Sequence, residues 1–228
     1  MSLTLHNSAM VPLKSLRMWD FSTVADRIGQ AIERAEADLR LEQAVYGLDA
    51  RDERDLQSLL AESLTGHYHV AREVHYPSSV GKKKSHRMRC DLVLSPLGRP
   101  LKLDTAPPTL FDPPDMCEPG DALWLEVKTA FQFREGGARH LGYGSQWRQA
   151  VVEDLRKMEA EAPIRQAGLL LIVFNESQQI LEKDIELFED VLIRKEVLAG
   201  FRQVRQIPIL DRIGHTLCTV ALWPTLQR

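Results

Sequence analysis

The chain has 228 residues, 44% of them hydrophobic and 27% charged, with a formal net charge of −3. This balance describes an ordinary soluble protein, and the length suits one sizeable α/β domain with decorations, in which two full domains would be cramped. A near-neutral chain has no global basic field, so any nucleic-acid binding has to come from local patches. Cys90, Cys117 and Cys218 are scattered, with no C-x-x-C pair. That argues against a disulfide framework or a structural zinc site and suggests a reducing compartment. Residues 1–16 lack the continuous apolar core of a signal peptide, and the longest apolar run is far short of a membrane span. The expectation is a cytoplasmic protein with no membrane partner.

Residues 1–19 read as an irregular arm, with Met18 and Trp19 packing onto the body. Asp20 or Ser22 can cap a helix over 23–46, whose stripe is Val24, Ile28, Ile32, Ala35, Leu39 and Leu41. Gly47 is expected to stop it, which sets residues 1–47 apart as an arm and helix packed on a core of residues 48–228. Asp49 or Asp52 then starts a helix carrying Glu53 and ending near Gly66.

A strand is predicted over 68–76 with Val70 and Val74 on one side, ended by Pro77. It forms a hairpin with a second strand over 87–95. Six prolines within 97–121 predict an extended surface loop there. Residues 123–133 form the third strand, and 134–144 a glycine-containing loop. A helix over 145–161 follows, with Val151, Val152, Leu155 and Met158 as its buried stripe. The remainder reads as an apolar strand over 168–174, a helix over 182–199, and strands over 202–210 and 215–223.

The most informative stretch is Trp124-Leu125-Glu126-Val127-Lys128. Side chains alternate along a strand, so Glu126 and Lys128 share one face while Leu125 and Val127 share the other. An isolated E-x-K is ordinarily a Glu–Lys pair on a half-exposed strand. Here a second acid stands on the preceding strand, in Arg89-Cys90-Asp91-Leu92-Val93-Leu94. Unpaired buried charge is costly, and two carboxylates and a lysine from adjacent strands can satisfy one another around a divalent cation.

An acid at a strand end, a connection, then apolar-Glu-x-Lys resembles the motif of the PD-(D/E)xK nuclease superfamily. The resemblance covers residues 50–175, in the order helix, three strands, helix, strand. It departs from the motif's name at Cys90, where the name has proline, and in the length of the 97–121 connection. It implies a central mixed sheet flanked by helices, the restriction-endonuclease-like core, and a Mg²⁺- or Mn²⁺-dependent nuclease acting on DNA rather than RNA. In that resemblance Asp91, Glu126 and the Val127 carbonyl hold the metal, Lys128 stands beside the attacking water, and Glu53 reaches the site from its helix. Glu62, one helical face away, is the competitor to Glu53.

Lys82, Lys83, Lys84, Arg87 and Arg89 lie at the hairpin tip leading into Asp91, with no acid among residues 81–89. They form a candidate phosphate-backbone contact. Gln146 and Gln149 are candidates from the following helix, where related nucleases place a Gln near the phosphate. Trp147 between them either stacks on a base or packs. Lys157 reads as a surface residue or a partner for Glu153. The chain has no GxxxxGKS loop, so any ATP-driven step needs a partner protein. The rival readings are a non-catalytic nuclease-fold scaffold and a nuclease subunit that needs a partner. A homodimer would suit double-strand cutting, and nothing in the sequence requires one.

Overall fold

The computed structural model describes residues 19–79, 88–102 and 115–225. Its elements are α1 (Phe21–Leu41), a 3-10 turn (Leu48–Ala50), α2 (Glu53–Leu64), β1 (Tyr68–His75), β2 (Arg89–Pro96) and β3 (Leu123–Phe131). They continue with α3 (Tyr143–Glu159), β4 (Gln166–Asn175), α4 (Gln178–Arg194), β5 (Gln203–Pro208) and β6 (Leu217–Pro224). The strands form one mixed sheet in the order β1-β2-β3-β4-β6-β5. The first three make an antiparallel meander, β4 runs parallel to β3 after the α3 crossover, and β6 and β5 are antiparallel additions. This is the α/β class expected, with helices on both faces. Among the described residues no helix is long and apolar enough to cross a membrane.

Strand alternation sends neighbouring residues to opposite apolar layers. Trp124 faces Leu155, Met158 and Phe188 of α3 and α4, with Leu169, Leu171 and Trp223. Leu123, Leu125 and Val127 face Ile28, Ile32, Leu56 and Leu60 of α1 and α2, with Leu170 and Ile172. β4 is therefore buried on both faces, which explains its unbroken apolar run.

Asp20 caps α1 by accepting from the Ser22 and Thr23 amides. The helix ends at Leu41 rather than Tyr46, because its apolar stripe has run past the sheet. Leu41 and Val45 are 82% and 80% exposed, and Gln43 turns the chain with φ 53°. Gly47 opens the 3-10 turn instead of stopping the helix. Asp52 caps α2 through the Asp55 amide, whereas Asp49 is buried against His215 at 2.9 Å. The described ends of the proline-rich connection are joined by a bridge between Leu101 and Cys117.

Val70 and Val74 do not share a face. Val70 packs with the α1/α2 layer and Val74 with the α3/α4 layer. Glu73 between them has φ 53°, and pairing skips from Arg72↔Leu92 to Val74↔Cys90. The register is the same on both sides, so no residue is inserted. Glu73 and the facing Asp91 both leave the ladder, and past them the two strands have changed faces together, with Leu92 in the α1/α2 layer and Cys90 beside Val74 in the α3/α4 layer. A non-glycine residue pays for this conformation, and the exposed Glu73–Arg89 pair at 3.8 Å offsets little of the cost. Glu73→Gly is therefore expected to stabilise the fold by about 1 kcal/mol. A thermal melt checks this, and a lowered midpoint would show that the glutamate itself holds the change of face.

Candidate active site

The site begins where β2 and β3 separate. Their pairing covers Leu94↔Leu123, Val93↔Trp124 and Leu92↔Leu125, and then ceases. Amide donors beyond that point need partners, because a buried unpaired N–H is costly. Carboxylates take the next two on that edge of β3. Asp91 Oδ2 accepts from the Val127 amide at 2.7 Å, and Glu53 Oε2 accepts from the Thr129 amide at 3.1 Å and its hydroxyl at 3.3 Å. Cys90 donates to the Leu125 carbonyl at 3.3 Å. Burial pushes its thiol pKa well up, so Cys90 remains a donor and is no nucleophile.

Glu126 points to the α3 side and is 2% exposed. Its Oε1 receives the Tyr76 hydroxyl at 2.5 Å and the Lys157 ammonium at 2.5 Å. Lys157 also lies 3.5 Å from Asp154 and 4.9 Å from the Tyr76 ring centroid. Lys128 reaches Asp154 at 3.2 Å, the Val127 carbonyl at 3.3 Å and Glu53 at 4.0 Å. Four carboxyls and two ammonium groups thus form one network where β1, β2, β3, α2 and α3 meet.

Burial, and after it the charge of Asp91, pushes Glu126 up to about 7. Burial also raises Asp91, against the lowering effect of the Val127 amide and Lys128. Two carboxyls in one poorly solvated place resist double ionisation, so the pair titrates as a unit. Lys128 moves the other way from what burial alone would do. Asp154, Glu53 and Asp91 outweigh the desolvation and raise it, so it is an ammonium at neutral pH. Lys157 is raised likewise, through its bond to Glu126.

The structure brings Asp91, Glu126, Val127 and Lys128 together, with Glu53 at the edge, whereas Glu62 is exposed. Arg89 stands exposed at the start of β2, while Lys82, Lys83, Lys84 and Arg87 lie outside the described residues. Gln146 and Gln149 are on the first turns of α3, and Gln149 is exposed. The α3 residues that join the site lie further along: Lys157 on Glu126, and Asp154 on Lys128 and Lys157. Trp147 is core, 3% exposed, with ring contacts to Tyr143 and Phe188. Lys157 pairs with Glu126 and Asp154 instead of Glu153. Sequence reading missed Tyr76 and Asp154 altogether. One signal was there: Asp154 lies three residues after Val151 and four before Met158, on the stripe that packs against the sheet.

The donor set suits a hard divalent cation, which takes few protein oxygens and keeps several waters. Asp91 stands with its carboxyl against the Val127 amide and beside Glu126, and the Val127 carbonyl is turned to the same network. Among the described residues no three His, Cys, Asp or Glu side chains converge as a ready metal cluster. The fit therefore rests on two carboxylates and one backbone carbonyl. No family model, curated protein or solved structure matches the chain.

Proposed function

We propose that the protein is a Mg²⁺- or Mn²⁺-dependent nuclease with a restriction-endonuclease-like core, hydrolysing phosphodiester bonds in DNA. The observation that carries this reading is the convergence of Asp91, Glu126 and Lys128 where β2 and β3 part. The order α2-β1-β2-β3-α3-β4, with the parallel β3–β4 pair bridged by α3, agrees with the resemblance read from the sequence. Three free, buried cysteines suit a reducing cytoplasm.

Asp91, Glu126 and the Val127 carbonyl are the metal ligands in this reading, and Glu53 stands close enough to join through water. A bound divalent ion supplies charge neutralisation on the phosphate and activation of the attacking water. Lys128 contributes a fixed positive charge. Its protonated state makes it a stabiliser of the negative charge that develops on the phosphate oxygens, not a proton acceptor. Asp154 and Glu53 hold its ammonium in place, and Tyr76 orients the Glu126 carboxylate. Arg89 and the lysine-rich tip form the proposed phosphate-backbone contact.

Incubation with supercoiled plasmid, linear duplex, single-stranded DNA and RNA tests this, with Mg²⁺, Mn²⁺ or EDTA and beside Asp91→Ala. The expected result is cutting of DNA only with metal and only by the unaltered protein. Cutting in EDTA, or by Asp91→Ala, refutes the assignment. If nothing is cut but Mn²⁺ raises the melting temperature, the chain is a subunit awaiting a partner. With neither effect it is a scaffold.

A further inference from the structure

Lys157 has no place in the metal-ligand reading, yet it makes the closest charged contact in the site. Its ammonium is 2.5 Å from Glu126 Oε1, on the oxygen that also receives Tyr76. The Lys157 side chain is 19% exposed and that of Glu126 only 3%, so the contact is poorly screened by solvent. A ligand carboxylate already neutralised by an ammonium attracts a divalent cation less. Asp154 offers Lys157 a second acceptor at 3.5 Å without any change of helix position, since the two are i and i+3 on α3. Asp154 meanwhile holds Lys128 at 3.2 Å, so one carboxylate joins both lysines. Once a divalent ion has drawn the protons from its ligands, four carboxylates against two ammoniums leave two negative charges, the complement of that ion.

We propose that Lys157 is a cation latch: without metal its ammonium neutralises Glu126, and when a divalent ion binds it passes to Asp154, so that this lysine sets the metal affinity of the site. The proposal rests on the metal-dependent reading above and adds a residue that opposes loading. Removing the latch should tighten metal binding, and removing its second acceptor should weaken it. A fixed Lys157 charge would give both single-variant shifts, so the double variant decides. With Asp154 already replaced by Asn, Lys157 has no second acceptor to pass to, and Lys157→Met should then tighten binding more than it does in the unaltered protein. A fixed charge gives the same factor in both.

The test is Mn²⁺ binding by the full chain without nucleic acid, measured by titration calorimetry and by the loss of free-ion signal in electron paramagnetic resonance. Lys157→Met, which keeps the length of the stem, is expected to bind Mn²⁺ about tenfold tighter, as loss of an adjacent like charge implies. Lys157→Gln guards against a folding defect in the first variant and should shift the same way. Asp154→Asn should bind more weakly. Unchanged or weaker binding by both Lys157 variants, with the unaltered protein still binding Mn²⁺, overturns the latch alone. No Mn²⁺ binding by any of the proteins overturns the metal reading, and the latch with it.

Discussion

Lys128→Ala is expected to lower metal-dependent cleavage about a thousandfold while leaving the protein folded. The size follows from what the group does. Its ammonium stays charged because Asp154, Glu53 and Asp91 outweigh the effect of burial, so it offers a fixed positive charge to the reacting phosphate. The small structural cost follows from its surroundings. The side chain is 23% exposed and its polar partners keep alternatives: Asp154 retains Lys157, and Glu53 retains both Thr129 donors. Plasmid nicking, read beside a thermal melt and circular dichroism, checks both halves. Wild-type cutting by a folded Lys128→Ala protein would falsify the assignment of this lysine.

A second large effect concerns pH. Glu126 is raised from an ordinary 4.5 to about 7, chiefly by burial and then by Asp91. The folded protein therefore holds a proton over the range from 4.5 to about 7 that the unfolded chain has released. The contribution to stability is full below 4.5, falls as pH rises, and is lost above about 7. Its size is on the order of 3 kcal/mol. Asp91, also raised, acts in the same direction. Metal binding has the opposite slope, since the ion needs the ionised carboxylates. The metal-free protein should melt lower at pH 8 than at pH 5.5, and the rise in melting temperature caused by Mn²⁺ should grow between pH 6 and pH 8. Glu126→Gln should flatten the first trend and abolish the second. A Mn²⁺ effect of equal size at both pH values, or one retained by Glu126→Gln, would remove Glu126 from the ligand set.

Much of this site is legible in the sequence. Alternation along β3 put Glu126 and Lys128 on one face, and the hairpin brought Asp91 to the next strand. The Asp52 cap fixed where α2 begins and hence where Glu53 stands. Strand faces near Asp91 were misjudged, because period-two reading assumes an unbroken pleat and Glu73 breaks it with a positive φ. Its type carries no sign of that, since glutamate is an unusual choice for the left-handed region. Lys157 was misread for another reason: a charged residue on an amphipathic helix is ordinarily solvated, and only the seating of the helix shows which flank overlooks the sheet.

The sequence by itself determined the order of the elements, the α/β class and the strand pair carrying Asp91, Glu126 and Lys128. These follow from local periodicity and from the cost of burying backbone and charge. Tertiary structure decided the rest: the parting of β2 and β3, the carboxylates on the Val127 and Thr129 amides, and the arrival of Tyr76 and Lys157 on Glu126 with Asp154 between the two lysines. Those groups lie 28 to 50 residues from Glu126 along the chain. Whether they meet depends on how Val151, Leu155 and Met158 seat α3 against Trp124, which is a matter of packing that no local pattern encodes.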